Sequence, residues 1–436
     1  MPRQLLLGQT LEFTGNPLVE GPDAARHRRH GAVLVDGGKI AAIADRDTLL
    51  ARYPDVTITD LGQMLISPGF VDAHVHYPQT AMIASWGKRL IDWLNTYTFP
   101  EEAKFSSEPY AAEIAELYLD LILAHGTTTA ASFCTIHPES LTAFFEAAAA
   151  RDLRMVAGKT CMDRNAPDNL RDTAQSAYDD SKALIEAWHG RGRLTYAITP
   201  RFTPTSTLDQ RAALGALWAE HPDCLMQTHL SEQKEEISWV RQLEPDAHDY
   251  LHTYERHGLV GPGSIMGHAI HLTEREIGRM AETGTGVAHC PTSNTFIGSG
   301  LCRVAALSER GIPVGLGTDT GGGSSFSMLR TMASAYEIAQ MQGVALHPSA
   351  LWWLATAGSA QVLRLDQKIG RLAVGQEADL IAIDLSSTPA IAQRAAQAET
   401  FWEQVFPTIM MGDDRAIAGV WIAGEAQHGK SYVNDP

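Results

Sequence analysis

Between about residue 66 and residue 370, short apolar runs alternate with longer amphipathic stretches. LISPGFVDAHVH (65–76), TTTAASF (127–133), RMVAGKT (154–160) and LTYAITP (194–200) each read as a strand bounded by turn residues. CLMQTHL (224–230), SIMGHAI (264–270), GVAHC (286–290) and IPVGLGTD (312–319) continue the series. The intervening segments 109–126, 208–221 and 272–284 repeat apolar residues at three and four, the helical spacing. The last two open beside Thr or Asp and close on His or Gly, as capped helices do. Eight strands alternating with helices over about 250–300 residues fit a (β/α)8 barrel, an α/β fold. A doubly wound open sheet shows the same alternation. The absence of a G-x-G-x-x-G after an early strand weighs against its dinucleotide-binding version.

Both ends read differently. GAVLVDGGKIAAI (31–43) is a hairpin around Asp-Gly-Gly, and ADLIAIDL (378–385) and IAGVWIAGEAQ (417–427) are short strands. A small β-domain built from residues 1–66 and 371–436, flanking a barrel over 67–370, is the expected organisation, because chain termini often lie close together.

Composition narrows the function. Of 436 residues, 44% are hydrophobic, enough for a sizeable core. The formal net charge of −17, with no basic run, argues against nucleic acid and anionic membranes as partners, since both are polyanions. Five scattered cysteines without a C-x-x-C suit a reducing compartment rather than a disulfide framework or structural zinc module. The first ten residues are too short in apolar content for a secretory signal, and no run of eighteen apolar residues occurs. A cytoplasmic protein is expected.

The chemistry lies at the strand ends, where a barrel places its functional groups. His74 and His76 end the first strand, and alternation puts residues i and i+2 on one face. His229 ends the fifth strand, His268 the sixth and Asp319 the eighth. His74, His76, His229 and Asp319 form a donor set suited to Zn²⁺, with Fe²⁺ the less favoured ion. Taken singly, each histidine reads better as a satisfied polar residue of a barrel layer; the set together reads as a metal site. Bound Zn²⁺ lowers the pKa of its water from 15.7 to about 7. Glu232, three residues past His229, is placed to shuttle protons, although an acid there also suits the start of the following helix. His268 is expected to polarise the attacking water. His271 and His289 are expected to be structural, His289 as support behind the ligands. Lys159 is expected to find a charged interior partner. A role for it between two metals would require two equivalents per chain.

Together, PGFVDAHVH, HLSE, the GH after strand six and GLGTD resemble the amidohydrolase superfamily. HYPQT (76–80), WLNTYTFPEEAKF (93–105), GKTCMDRNAP (158–167), ITPRFTPT (198–205), HCPTSN (289–294), GLGTDTGGGSSFSML (315–329) and MGDDRAI (411–417) extend the resemblance, almost end to end, to its guanine deaminase family. The resemblance implies a distorted barrel with a β-sandwich made from both termini, one zinc per chain and a homodimer. It implies hydrolysis of a small-molecule purine, guanine, to xanthine and ammonia. It matches His74, His76, His229 and Asp319 to metal-binding positions, and Gln79, Arg201, Phe202, Glu232 and His268 to positions that hold or activate the base. An arginine fork suits guanine O6 and N7, a phenylalanine face suits stacking, and a glutamine amide offers both a donor and an acceptor. The chemistry would be zinc-dependent yet unlike the cytidine-type deaminases, whose H-x-E…P-C-x-x-C pattern is missing. The alternatives are a deaminase of an adenosine derivative, cytosine or an s-triazine, and a catalytically silent barrel that serves as an interaction protein.

Overall fold

The computed structural model describes residues 3–86 and 90–429. Eight parallel strands follow one another in sequence order around its centre: β1 (Phe70–His76), β2 (Thr127–Phe133), β3 (Arg154–Gly158) and β4 (Thr195–Pro200), then β5 (Leu225–Leu230), β6 (Ser264–His268), β7 (Gly286–His289) and β8 (Val314–Leu316). Their residues are almost all buried, as in a parallel sheet covered on both faces. Among the described residues, β8 and β1 share no strand ladder, but the seam is stitched. Asp319 N donates to His74 O at 2.9 Å, and His76 N to Thr320 O at 3.2 Å. The buried Asp72 carboxylate accepts from Thr318 N at 3.0 Å, from His74 N at 3.2 Å and from the Thr318 hydroxyl. The sheet is thus a near-closed barrel, and the doubly wound alternative falls.

The helices end where the sequence signals place them. The Thr207 hydroxyl accepts from Gln210 N to cap Leu208–Glu220, and Thr273 forms a capping box with Glu276 at the start of Glu274–Thr283. Gly284, at φ +72°, terminates the second of these.

One expected strand divides. Residues 65–68 belong to a separate strand, Thr57–Pro68, and the barrel begins only at Phe70. Between them Gly69 passes so close to Thr128 that a Cβ would lie 2.1 Å from its Oγ1, so the chain changes sheets at a residue without a side chain. The run 154–160 is also interrupted, with β3 ending at Gly158 and a two-residue strand, Thr160–Cys161, pairing with β4.

Strands from both termini build a second, seven-stranded sheet in the order Glu425–Gly429, Ile417–Ile422, Leu380–Ile383, Thr57–Pro68, Gln4–Phe13, Ala25–Asp36, Lys39–Asp45. Two separate apolar clusters pack on it, one around Leu6, Val33 and Leu380, the other around Leu5, Leu7 and Leu34, as alternation along the strands requires. No helix among the described residues is long and apolar enough to cross a membrane.

Candidate active site

A local irregularity aims the first two histidines. Val71 and Ala73 join Ala131, Val156, Ala197 and Ile265 in the cluster that fills the barrel interior, whereas Val75 joins the cluster outside. The pairing of β1 with β2 shifts register between Asp72 and Val75. This bulge resets the alternation, so that His74 and His76 both follow Ala73 inward. Gly267 of β6 leaves the room that His74 occupies, since a Cβ there would sit 2.7 Å from His74 Cε1.

Three other strands deliver their groups through strained exits. Ser231 (φ +50°), His268 (φ +67°), Ala269 (φ +46°) and Asp319 (φ +49°) adopt the left-handed region that non-glycine residues rarely enter. Such strain persists where the surrounding structure over-determines it.

The result is one cluster of rings and carboxylates. His74 lies 4.8 Å from His229, 5.3 Å from His76 and 5.4 Å from His268, measured between ring centroids. His76 Nε2 approaches His229 Nε2 at 3.2 Å, and both His74 Nε2 and His76 Nε2 lie 3.5 Å from Asp319 Oδ1. His229 Nδ1 is engaged by the carbonyl of Arg201 at 2.7 Å, which leaves Nε2 free as a donor to an ion. Neither ring nitrogen of the buried His74 has a hydrogen-bond partner. An orphaned imidazole is costly in a core unless something else takes its lone pair.

The electrostatics agree. Burial holds the imidazoles of His74, His76 and His229 below their ordinary pKa, in the neutral form a metal requires. For Asp319, burial alone would raise the pKa, but His74, His268 and His76 outweigh it and keep the carboxyl well below its usual range. The described residues therefore fit a divalent ion. Cys290 also comes within reach of His74, His268 and Asp319. Burial pushes its thiol far up, and its Sγ donates to the Ala288 carbonyl at 3.4 Å.

Glu232 and His268 stand beside this cluster. His268 Nε2 lies 3.5 Å from Glu232 Oε2 and 3.7 Å from Asp319 Oδ2. Burial draws the His268 pKa down, yet the charges of Glu232 and Asp319 prevail and raise it. Burial raises the pKa of Glu232. The acid that opens the helix Lys234–Leu243 is Glu236, whose carboxylate accepts from the backbones of Glu232 and Gln233 at 2.9 and 3.0 Å. Glu232 is left to accept a 2.7 Å bond from Ser299 Oγ and to face the cavity.

A partly open cavity lies directly over this cluster. His76, Gln79, Arg201, Phe202, Glu232, His268 and Asp319 line it. Phe202 belongs to an apolar wall with Leu90, Trp93, Leu94 and Ile297, so it packs and lines the cavity at once. Arg201 donates to Glu102 at 2.6 Å, and Gln79 Nε2 donates to the same carboxylate at 3.0 Å.

Other residues resolve as follows. Lys159 pairs with Asp172 at 2.7 Å, the charged interior partner expected of it. His271 hydrogen-bonds the Ser299 carbonyl at 2.8 Å, apart from the ring cluster. The His289 ring touches no hydrogen-bonding partner, and the residue that holds His268 is Asn294, at 2.9 Å from Nδ1. Asn294, Ser299 and Glu102 are the parts sequence reasoning missed. Two of them, Asn294 and Glu102, sit inside motifs already singled out, HCPTSN and WLNTYTFPEEAKF.

A model of the amidohydrolase family matches residues 65–426. A guanine deaminase of Escherichia coli K12 is 42% identical over 402 residues, 92% of each chain. The chain belongs to the guanine deaminase family of the amidohydrolases. Among solved structures, that of an E. coli family member superposes with a TM-score of 0.96 at 40% identity, covering 98% of this chain and 100% of the other. A guanine deaminase from C. acetobutylicum, solved with guanine bound in its active site, superposes with a TM-score of 0.89 at 28% identity, covering 98% of this chain and 100% of the other. A short match to an imidazolonepropionase-like composite domain covers residues 31–55 of the terminal sheet.

Proposed function

We propose that this chain hydrolyses guanine to xanthine and ammonia with one zinc ion held by His74, His76, His229 and Asp319. The observation that carries the reading is the adjacency of two sets of groups. A cavity lined by a cation, an amide and an aromatic face opens directly onto the imidazole cluster and its two proton-handling side chains. The family's guanine-bound member supports the substrate. A divalent ion in such a donor set supplies Lewis acidity and makes water a nucleophile at neutral pH.

The chain's own groups account for the proton movements. Asp319 takes a proton from the attacking water, and His268 hydrogen-bonds the oxygen as it approaches C2 of the base. Glu232, whose pKa burial raises, gives a proton to the ring nitrogen beside C2 as the carbon–oxygen bond forms. The proton held by Asp319 passes to the exocyclic nitrogen, the C2 hydroxyl returns a proton to Glu232 as the carbonyl forms, the carbon–nitrogen bond breaks, and ammonia leaves. Arg201 faces the acceptors at O6 and N7, Phe202 lies along the ring, and Gln79 reads an N–H edge. The resemblance supports a homodimer acting in the cytoplasm, which sedimentation and cell fractionation test. For the reaction, the purified protein is incubated with guanine, adenine, cytosine and methylthioadenosine, and ammonia is measured. Release from guanine alone is expected. Release from another compound alone would move the substrate, and release from none would favour the silent barrel.

A further inference from the structure

The buried carboxylate of Glu102 is not among the cavity-lining residues, yet it holds both polar readers of the cavity. One oxygen accepts from Arg201 Nη1 at 2.6 Å and the other from Gln79 Nε2 at 3.0 Å. An ionised carboxylate only accepts, so the Gln79 amide has one allowed orientation, with its NH2 on Glu102 and its carbonyl oxygen turned away. That oxygen sits against Gly321, at φ +142°, where an added Cβ would lie 2.3 Å from Oε1. Arg201 Nη1 also reaches Met162 Sδ at 4.0 Å, whereas among the described residues Nε and Nη2 have no protein acceptor, and Arg201 lines the cavity. Its guanidinium is further fixed over the Phe99 ring, 5.5 Å from the centroid.

The geometry points to Glu102 as the positioning residue that sets the polarity of the pocket and thereby selects a 6-oxopurine over a 6-aminopurine. By anchoring one end of each reader, Glu102 holds the donor-only guanidinium of Arg201 in place and fixes Gln79 as an acceptor. A 6-oxo group and N7 match the donors. A 6-amino group would set donor against donor in a dry site, the mismatch that polar pockets reject most strongly. This inference rests on the proposed reading of the site as a guanine pocket and adds the origin of its selectivity.

The test compares the wild type with Glu102→Gln and Glu102→Asp on guanine and 2,6-diaminopurine, which carry the same 2-amino group and differ at C6. Binding of hypoxanthine and adenine is measured in parallel, with metal content and Tm. In Glu102→Gln the amide can donate or accept, so Gln79 is free to flip and Arg201 loses its counter-charge. KM for guanine should rise about 10–100-fold with kcat held within about threefold. The kcat/KM preference for guanine over 2,6-diaminopurine should fall by about tenfold or more, with metal and Tm kept. Glu102→Asp, which restores the charge, should recover part of the preference. An unchanged KM and preference in Glu102→Gln would overturn the assignment. So would a joint loss of kcat, metal and Tm, which a merely structural carboxylate would give. If the wild type deaminates neither substrate, the reaction reading fails on its own, and the binding pair still decides. Tighter binding of hypoxanthine than adenine, lost in Glu102→Gln, upholds the clamp, and equal binding in the wild type overturns it.

Discussion

Replacing Glu232 by glutamine isolates proton transfer from everything else the site does. The amide is isosteric, its oxygen can keep the 2.7 Å bond from Ser299, and no metal-binding group is touched. What disappears is a titratable proton 3.5 Å from His268 Nε2. A positioned acid or base contributes a factor of about 10²–10⁴, or roughly 2.7–5.4 kcal/mol of barrier at 1.36 kcal/mol per decade. The fold should not suffer. Burial raises the Glu232 pKa, so the charged form costs stability that an uncharged amide does not. The expected result is a kcat for ammonia release lowered about 10²–10⁴-fold, an unchanged KM, a full complement of metal and a Tm equal to or above the wild type. Xanthine formation followed by absorbance, metal analysis and calorimetry read the three quantities. A kcat within about threefold of the wild type, with metal retained, would refute the assignment of Glu232 as proton carrier.

Two further expectations follow from other parts of the molecule. Gly321→Ala places a Cβ 2.3 Å from Gln79 Oε1 at a φ of +142°, so Gln79 must leave its place. A KM increase of about tenfold on guanine, with strain costing on the order of 1–3 kcal/mol in a urea melt, is expected, and unchanged values would show that the loop accommodates the methyl group. His27 stacks on Phe401 at 3.7 Å, bonds Gln9 at 2.8 Å, and is held by burial, with help from Arg29, at a pKa of about 4 against an ordinary 6.5. The unfolded chain therefore binds this proton first. The contribution of His27 is complete above about pH 6.5 and is lost as pH falls towards 4. Urea midpoints of the wild type and His27→Gln should diverge across that window and run parallel above it. Parallel curves throughout would contradict the reading.

The barrel was legible because each parallel strand is buried on both faces and ends in a recognisable turn, and because Thr207 and Thr273 cap their helices in plain sequence terms. The ring cluster was legible for a related reason, since barrel topology brings the ends of strands together whatever their separation in the chain. Alternation gave the right outcome for His74 and His76 while concealing the bulge that turns both inward past Val75. The break at Gly69 was hidden too, because LISPGFVDAHVH is apolar without interruption and only tertiary crowding by Thr128 shows where one sheet gives way to the next. Glu102, Asn294 and Ser299 were illegible as individual residues. Each acts through a partner far away in the chain, and a hydrogen bond between distant loops leaves no periodic trace.

The account stands on His74, His76, His229 and Asp319 gathering around a single ion, and crystals of protein loaded with zinc, measured at the zinc absorption edge, address that directly. One anomalous peak per chain, bound by three imidazole nitrogens and the Asp319 carboxylate, is the expected result. A second ion of equal occupancy at Lys159, or a lone ion that leaves the His74 ring unligated, would contradict it.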